Sequence, residues 1–169
     1  MSTVPASGRS FETISRDDLV RLAAIERRDR ADRFSRKPEW KELYAERLLC
    51  VALCQGAAKH FLNGSTGVND FDVWTFYAEH PLRPFPPRWR LVHDFGDAKF
   101  GQSVDSPQYI GRRVDCISRS IPALVGEDPM YALRRYLSAA RTTSAQFLRQ
   151  SAVILLEPAG RLAEVVWRP

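Results

Sequence analysis

The run Leu49-Cys50-Val51-Ala52-Leu53-Cys54, the Gln55-Gly56-Ala57 step after it, and the later segment Asp70-Phe71-Asp72-Val73-Trp74-Thr75-Phe76-Tyr77 decide how the chain is read. Six consecutive apolar residues cannot alternate between a wet and a dry face, so the first run predicts a strand buried on both faces. Ala57 to Leu62 predicts a short helix, closed by the turn residues Asn63-Gly64-Ser65-Thr66-Gly67. The β-branched and aromatic content of Phe71 to Tyr77 predicts a second strand.

The acids in that second strand carry the chemical signal. Side chains alternate along a strand at ~3.3 Å per residue, so Asp70 and Asp72 point to one side about 6.6 Å apart. Phe71 and Val73 then face the core, which predicts a half-buried strand with its acids on the open face. Crowding two carboxylates is unfavourable unless a hard divalent cation with oxygen ligands neutralises them, which makes Mg²⁺ or Mn²⁺ the expected partner.

A third strand is expected over Tyr109–Ile117, where Asp115 stands among apolar neighbours in Arg113-Val114-Asp115-Cys116-Ile117. Its carboxylate, entering beside the first two, would complete a site for two metals ~3.5–4 Å apart. Gly56 lies where the first strand gives way to a helix. Without a side chain there, a phosphate can approach backbone N–H groups and the positive helix end.

Outward from this centre, residues 1–14 read as an irregular lead. Ser15 and Asp18 form a capping box for a helix whose apolar side uses Leu19, Leu22, Ala23 and Phe34. Glu26 with Arg30 and Asp29 with Arg33 sit four apart, the pattern of a solvated helix with modest ion pairs. Pro38 opens a second helix striped by Trp40, Leu43, Tyr44 and Leu48. Four prolines between Pro81 and Pro87 mark a connection, Arg88–His93 a further strand, and Asp94–Gly101 an ordered loop. Beyond Pro122 the pattern turns helical. Asp128 and Pro129 supply a cap and first residue before Met130, Leu133 and Leu137, and Thr143 or Ser144 caps a helix through Gln150. Ala152–Leu156 and Glu164–Trp167 suggest a terminal strand pair.

A length of 169 residues, 44% of them hydrophobic and 27% charged, suits one domain, taken as 15–169 with a core at 49–121, helices at 122–151 and strands at 152–168. The expected class is α/β in the broad α+β sense: a small mixed sheet with N-terminal helices and a helical C-terminal portion. No run approaches the ~20 apolar residues of a membrane span, so a cytoplasmic location with no membrane partner is expected. Cys50, Cys54 and Cys116 lack zinc-site spacing and read as reduced core residues. The net charge of +5 rests on arginine, since the lysines are only Lys37, Lys41, Lys59 and Lys99. Interleaving with Asp and Glu makes that excess weak evidence for a polyanionic partner. Neither G-x-S-x-G nor the Gly-Lys-Ser/Thr ending of a phosphate loop is present, so Ser65 and Thr66 read as turn residues.

Taken in order, a strand ending in Gly, a short helix, an Asp-apolar-Asp-apolar strand and a later lone Asp resemble the DNA polymerase β-like nucleotidyltransferase superfamily. Gln55, Gly56 and Ala57 match its glycine motif, and twelve residues, 58 to 69, precede Asp70. The resemblance spans residues 49–117. It implies that Asp70 and Asp72 bind the metal accompanying a nucleoside triphosphate, and that Asp115 shares a metal and helps activate the acceptor hydroxyl. Two positions depart from the motif: Gln55 replaces an apolar residue, and Ala57 lacks the hydroxyl of a family Ser, leaving phosphate contacts there to backbone donors.

Lys99, and Arg113 with its neighbours Arg112 and Arg119, are candidates to reach phosphates, with solvent exposure as the other reading. His60 and His93 read as hydrogen-bonded structural residues, and Trp74, Phe76 and Tyr77 as packing residues. The implied activity is metal-dependent transfer of a nucleoside monophosphate from an NTP to a hydroxyl on an unidentified small molecule, RNA or protein, by a monomer or homo-oligomer. Two alternatives stay open: a non-catalytic nucleotide-sensing or toxin–antitoxin-type partner-binding module, and a basic nucleic-acid-binding protein using helix 16–36.

Overall fold

The reciprocal cap expected at Ser15 starts the first helix: Ser15 Oγ accepts from the Asp18 N–H, and the Asp18 carboxylate accepts from the Ser15 N–H at 2.7 Å. In the computed structural model, which describes residues 8–86 and 89–169, this helix is α1 (Arg16–Arg36). It is followed by α2 (Pro38–Tyr44), β1 (Leu48–Cys54), α3 (Gln55–Asn63), β2 (Phe71–Ala78) and β3 (Arg90–Asp94). The chain continues through β4 (Arg113–Ile121), α4 (Pro129–Ala139), α5 (Thr143–Leu148), β5 (Val153–Glu157) and β6 (Val165–Trp167). Met1 to Ser7 of the expected lead, and Arg88 of the expected strand, lie outside the described residues. Within that lead, Ser10 bridges to Val68 through two backbone bonds.

Among the described residues six strands form one sheet in the order β3-β4-β2-β1-β5-β6. Only β2 and β4 run parallel, and the other neighbours are antiparallel, so the fold is α+β with a mixed sheet. The terminal pair β5–β6 forms as expected, with β5 also paired to β1.

Both faces of the sheet are covered. On one, Leu19, Leu22 and Ala23 of α1 and Ala57 and Ala58 of α3 pack against Val51, Leu53, Phe71, Val73 and Val114. On the other, Met130, Leu133 and Leu137 of α4 and Ala145 and Leu148 of α5 pack against Ala52, Cys54, Trp74, Phe76 and Leu155. Because of this double cover, every residue of β2 is buried, which corrects the expectation of a half-buried strand. The three cysteines are free and buried.

Helix α1 also departs from its solvated reading, since Glu26, Asp29 and Arg33 are all buried. The polar strand residues beneath them are the reason. Thr75 Oγ1 donates to Glu26 at 2.8 Å, and Arg33 donates to Ser118 Oγ at 2.6 Å and to the Cys116 carbonyl while pairing with Asp29. Burial pushes the Glu26 carboxyl up to about 7.

Strand β4 is shifted toward the C-terminus of its expected span. The amides of Ile110 and Gly111 donate to the Asp94 carboxylate at 2.6 and 2.9 Å, which withdraws them from the ladder. Gly111 is obligatory at this crossing, because a Cβ there would lie 2.1 Å from the Gly96 carbonyl oxygen. The caps follow the sequence closely: Asp128 accepts from the Tyr131 N–H, and Thr142, one residue before the expected position, accepts from the Ala145 N–H. Among the described residues no helix is long and apolar enough to cross a membrane.

Candidate functional site

Strand register assembles the acids. Parallel pairing sets Asp72 of β2 opposite Asp115 of β4, and antiparallel pairing sets Cys54, the last residue of β1, on the other side of Asp72. Asp70 sits one residue before β2 rather than within it. Carboxylate oxygens of Asp70, Asp72 and Asp115 all lie within 4.8 Å of one another, Asp70 and Asp72 two residues apart and Asp115 brought to them by the parallel β2–β4 pairing.

The cluster is under electrostatic load. Asp72 is only 8% exposed and Asp115 only 1%. Burial, with the Asp70 and Asp115 charges adding to it, pushes the Asp72 carboxyl up to about 7 despite the opposing pull of Arg90 and Arg113. Arg90 donates to Asp115 Oδ2 at 2.6 Å, while Arg113 donates to Asp70 at 3.2 Å and to Asp115 Oδ2 at 3.1 Å. Burial alone would lower the Arg113 pKa, but the Asp115 and Asp70 carboxylates hold it above its ordinary value. Two arginines thus neutralise part of the acid, yet Asp115 Oδ1 is buried with no hydrogen-bond partner among the described residues.

A cavity of about 650 Å³ opens above the carboxylates, within the usual range for small-ligand sites. Gln55, Asp70, Asp72, Asp115, Arg90 and Arg113 supply the polar part of its lining, and Trp74, Ile117 and Phe147 the apolar part. The residue at its lip with an unusual backbone is Gln55, whose φ of +61° lies in the left-handed region that glycine tolerates best. At Gly56 an added Cβ would meet nothing within 4 Å, so the start of α3 has open space beside it. Ala57 instead turns its methyl into the core under α3.

Other candidates are engaged elsewhere. Lys99 pairs with Asp18 at 2.9 Å and does not line the cavity. Arg112 is buried and donates to the carbonyls of Gly8 and Phe100, and Arg119 donates to Ser144 Oγ at 2.9 Å. His60 bridges the Glu12 carbonyl and the Gly67 N–H, as a structural histidine does. His93 meets Asp29 at 2.7 Å on the opposite face of the sheet. There Asp29, His93 and Cys116 form a second group of donor atoms within 4.8 Å of one another. Arg33 already neutralises Asp29, and burial pushes the Cys116 thiol up, so the thiolate a soft metal needs is disfavoured.

Arg90, Trp74, Ile117 and Phe147 were absent from the sequence-derived site. Trp74 follows Asp72 by two, and Ile117 follows Asp115 by two, so alternation carried a signal for both. Arg90 comes from the edge strand β3 and Phe147 from α5, joined to the site by tertiary packing alone. Compared with protein-family models, curated proteins and solved structures, the chain returned no match.

Proposed function

We propose that the acidic cavity is a metal-dependent nucleotidyl-transfer centre, moving a nucleoside monophosphate from a nucleoside triphosphate to an acceptor hydroxyl. The observation that carries this reading is the meeting of Asp70, Asp72 and Asp115 within 4.8 Å on the wall of an open cavity. It agrees with the resemblance of residues 49–117 to polymerase β-like nucleotidyltransferases.

The donor set suits Mg²⁺ or Mn²⁺: three carboxylates, one raised to about 7 by its surroundings and one with a buried oxygen lacking a partner. Asp70, Asp72 and Asp115 would hold the ion, which when bound polarises phosphoryl oxygens and acidifies a nearby hydroxyl. The chain's own residues supply the rest. The open backbone at Gly56 and the start of α3 offer N–H donors to phosphate oxygens, and Gln55 shapes the lip. Arg113 and Arg90, released from Asp115 as its charge is met otherwise, are placed to bind the triphosphate or the leaving pyrophosphate. In the transfer, the acceptor oxygen bonds to the α-phosphorus and the bond from that phosphorus to the bridging oxygen breaks. Pyrophosphate leaves with the bonding pair, and the hydroxyl proton passes to a site carboxylate and on to solvent. Trp74, Ile117 and Phe147 give the cavity an apolar part on which a base or an acceptor can pack.

The test is incorporation of label from α-³²P NTPs into a panel of RNAs, proteins and small hydroxyl compounds with Mg²⁺ or Mn²⁺. Labelled product lost on chelation and in Asp115→Asn supports the reading. No metal-dependent nucleotide binding or turnover by the wild-type chain rejects it. The double pairing of Asp115 with Arg90 and Arg113 favours a second reading, a non-catalytic nucleotide-sensing module whose acids are neutralised without metal. Calorimetry separates the two: that module binds nucleotide equally well in EDTA and turns none over.

A further inference from the structure

On the far side of Arg90 from the acidic cavity lies a second recess of about 220 Å³, between the C-terminal end of α1 and the edge strand β3. Its described lining is Arg33, Arg36, Lys37, Trp89, Arg90 and Leu91: four cations, one aromatic, one aliphatic residue and no acid. Arg90 lines both cavities, so they share a wall.

Three observations make this more than a solvated charge run. Arg36 and Lys37 are exposed, and among the described residues neither has a carboxylate within ion-pair distance. Arg33 is buried, and four of its contacts go to the Trp89 carbonyl, Ser118, Asp29 and the Cys116 carbonyl, yet its Nε–H is buried with no acceptor. A buried guanidinium donor left unsatisfied is costly, and a ligand oxygen is one way to satisfy it. Positive charge also exceeds what the fold supplies against it. The C-terminal end of α1 contributes about half a negative charge. Asp29 and Asp115 offset one cation each, and both lie outside the lining.

The recess selects an anion rather than a nucleobase. Phe85 stacks on Trp89 at 5.0 Å and the Arg33 guanidinium sits 5.5 Å from its ring centroid, so the indole is already in use. Arginine forks and a lysine ammonium around a small volume match a tetrahedral oxyanion.

We propose that this recess is a phosphate-binding subsite, and that it takes the phosphate group of the acceptor whose hydroxyl is presented to the acidic cavity. The acceptor is therefore a phosphorylated hydroxyl compound. The acceptor assignment rests on the nucleotidyl-transfer reading, whereas the phosphate site stands without it.

The experiment is isothermal calorimetry in EDTA with inorganic phosphate, glycerol 3-phosphate and glycerol, on the wild-type chain and on Arg36→Ala/Lys37→Ala. Both substitutions are at exposed positions outside the acidic cavity, and far-ultraviolet circular dichroism checks that the fold is kept. The expected result is binding of both phosphate compounds but not of glycerol, weakened at least tenfold in the double variant. Tighter binding of the ester than of free phosphate supports the acceptor assignment. Equal or tighter binding of free phosphate overturns that assignment and keeps an inorganic-phosphate site. No phosphate binding, or binding unchanged in the double variant, overturns the site itself. These results are independent of label incorporation, so a chain that binds phosphate but transfers nothing rejects the enzymatic reading alone.

Discussion

Replacing Asp72 by Asn is expected to stabilise the metal-free protein while abolishing its use of metal. Burial first, and then the Asp70 and Asp115 charges, raise the Asp72 carboxyl from its ordinary 3.8 to about 7 in the folded chain. A folded pKa above the unfolded one means that the folded state holds its proton longer. The ionised group therefore costs nothing below about pH 4, costs progressively more as pH rises toward 7, and carries its full penalty above that. At ~1.4 kcal/mol per pH unit the ceiling is about 4 kcal/mol at pH 8. An Asn amide in the same buried place returns about 1–3 kcal/mol if one of its groups finds no partner. The net gain is about 1–3 kcal/mol, or roughly 2–12 °C in Tm for a chain of this size. Thermal unfolding in EDTA at pH 8 and pH 4 reads this directly, with the advantage of Asp72→Asn present at pH 8 and gone at pH 4. In millimolar Mg²⁺ the order reverses, because only the wild-type chain gains stability from binding the ion. A variant no more stable than wild type at pH 8, or one equally stabilised by Mg²⁺, would refute the reasoning.

Other substitutions probe the frame around the site. Glu26→Gln keeps an acceptor for Thr75 but removes a carboxyl that burial raises from 4.5 to about 7. By the same sign argument, urea unfolding should show wild-type stability falling by up to about 3 kcal/mol relative to the variant between pH 4 and pH 8. Gln55→Gly relieves a φ of +61° and should raise stability by about 0.5–1 kcal/mol without altering the fold, read as an increased urea midpoint. Leu133→Ala empties a fully buried position between α4 and the sheet, and should cost about 2–5 kcal/mol in the same measurement.

The strands that carry the acids were legible because their signals are local. The apolar run at Leu49–Cys54 cannot be satisfied on one face, and the two-residue spacing of Asp70 and Asp72 survives although Asp70 stops short of the strand. That Asp115 stands beside Asp72 depends on the parallel β2–β4 pairing, which no local pattern encodes; an acid among apolar strand residues was its only trace. Helix α1 resisted reading for a different reason. An i,i+4 ion pair looks the same in sequence whether it faces water or a sheet, and the hydroxyls of Thr75 and Ser118, distant in the chain, put Glu26 and Arg33 inside. Lys99 was attractive because glycines surround it, but Asp18, eighty-one positions earlier, holds it at 2.9 Å. Arg90 carries no local signal, because an arginine on an edge strand is ordinary until the fold brings it to Asp115.

The most direct test of the metal centre is an anomalous difference map from a crystal soaked in MnCl₂ with a non-hydrolysable nucleoside triphosphate analogue. The account predicts a manganese peak bounded by Asp70, Asp72 and Asp115, with triphosphate density beside Gly56 and with Arg90 and Arg113 turned from Asp115 toward the phosphates. A map without metal at that position, with both arginines still seated on Asp115, would contradict it.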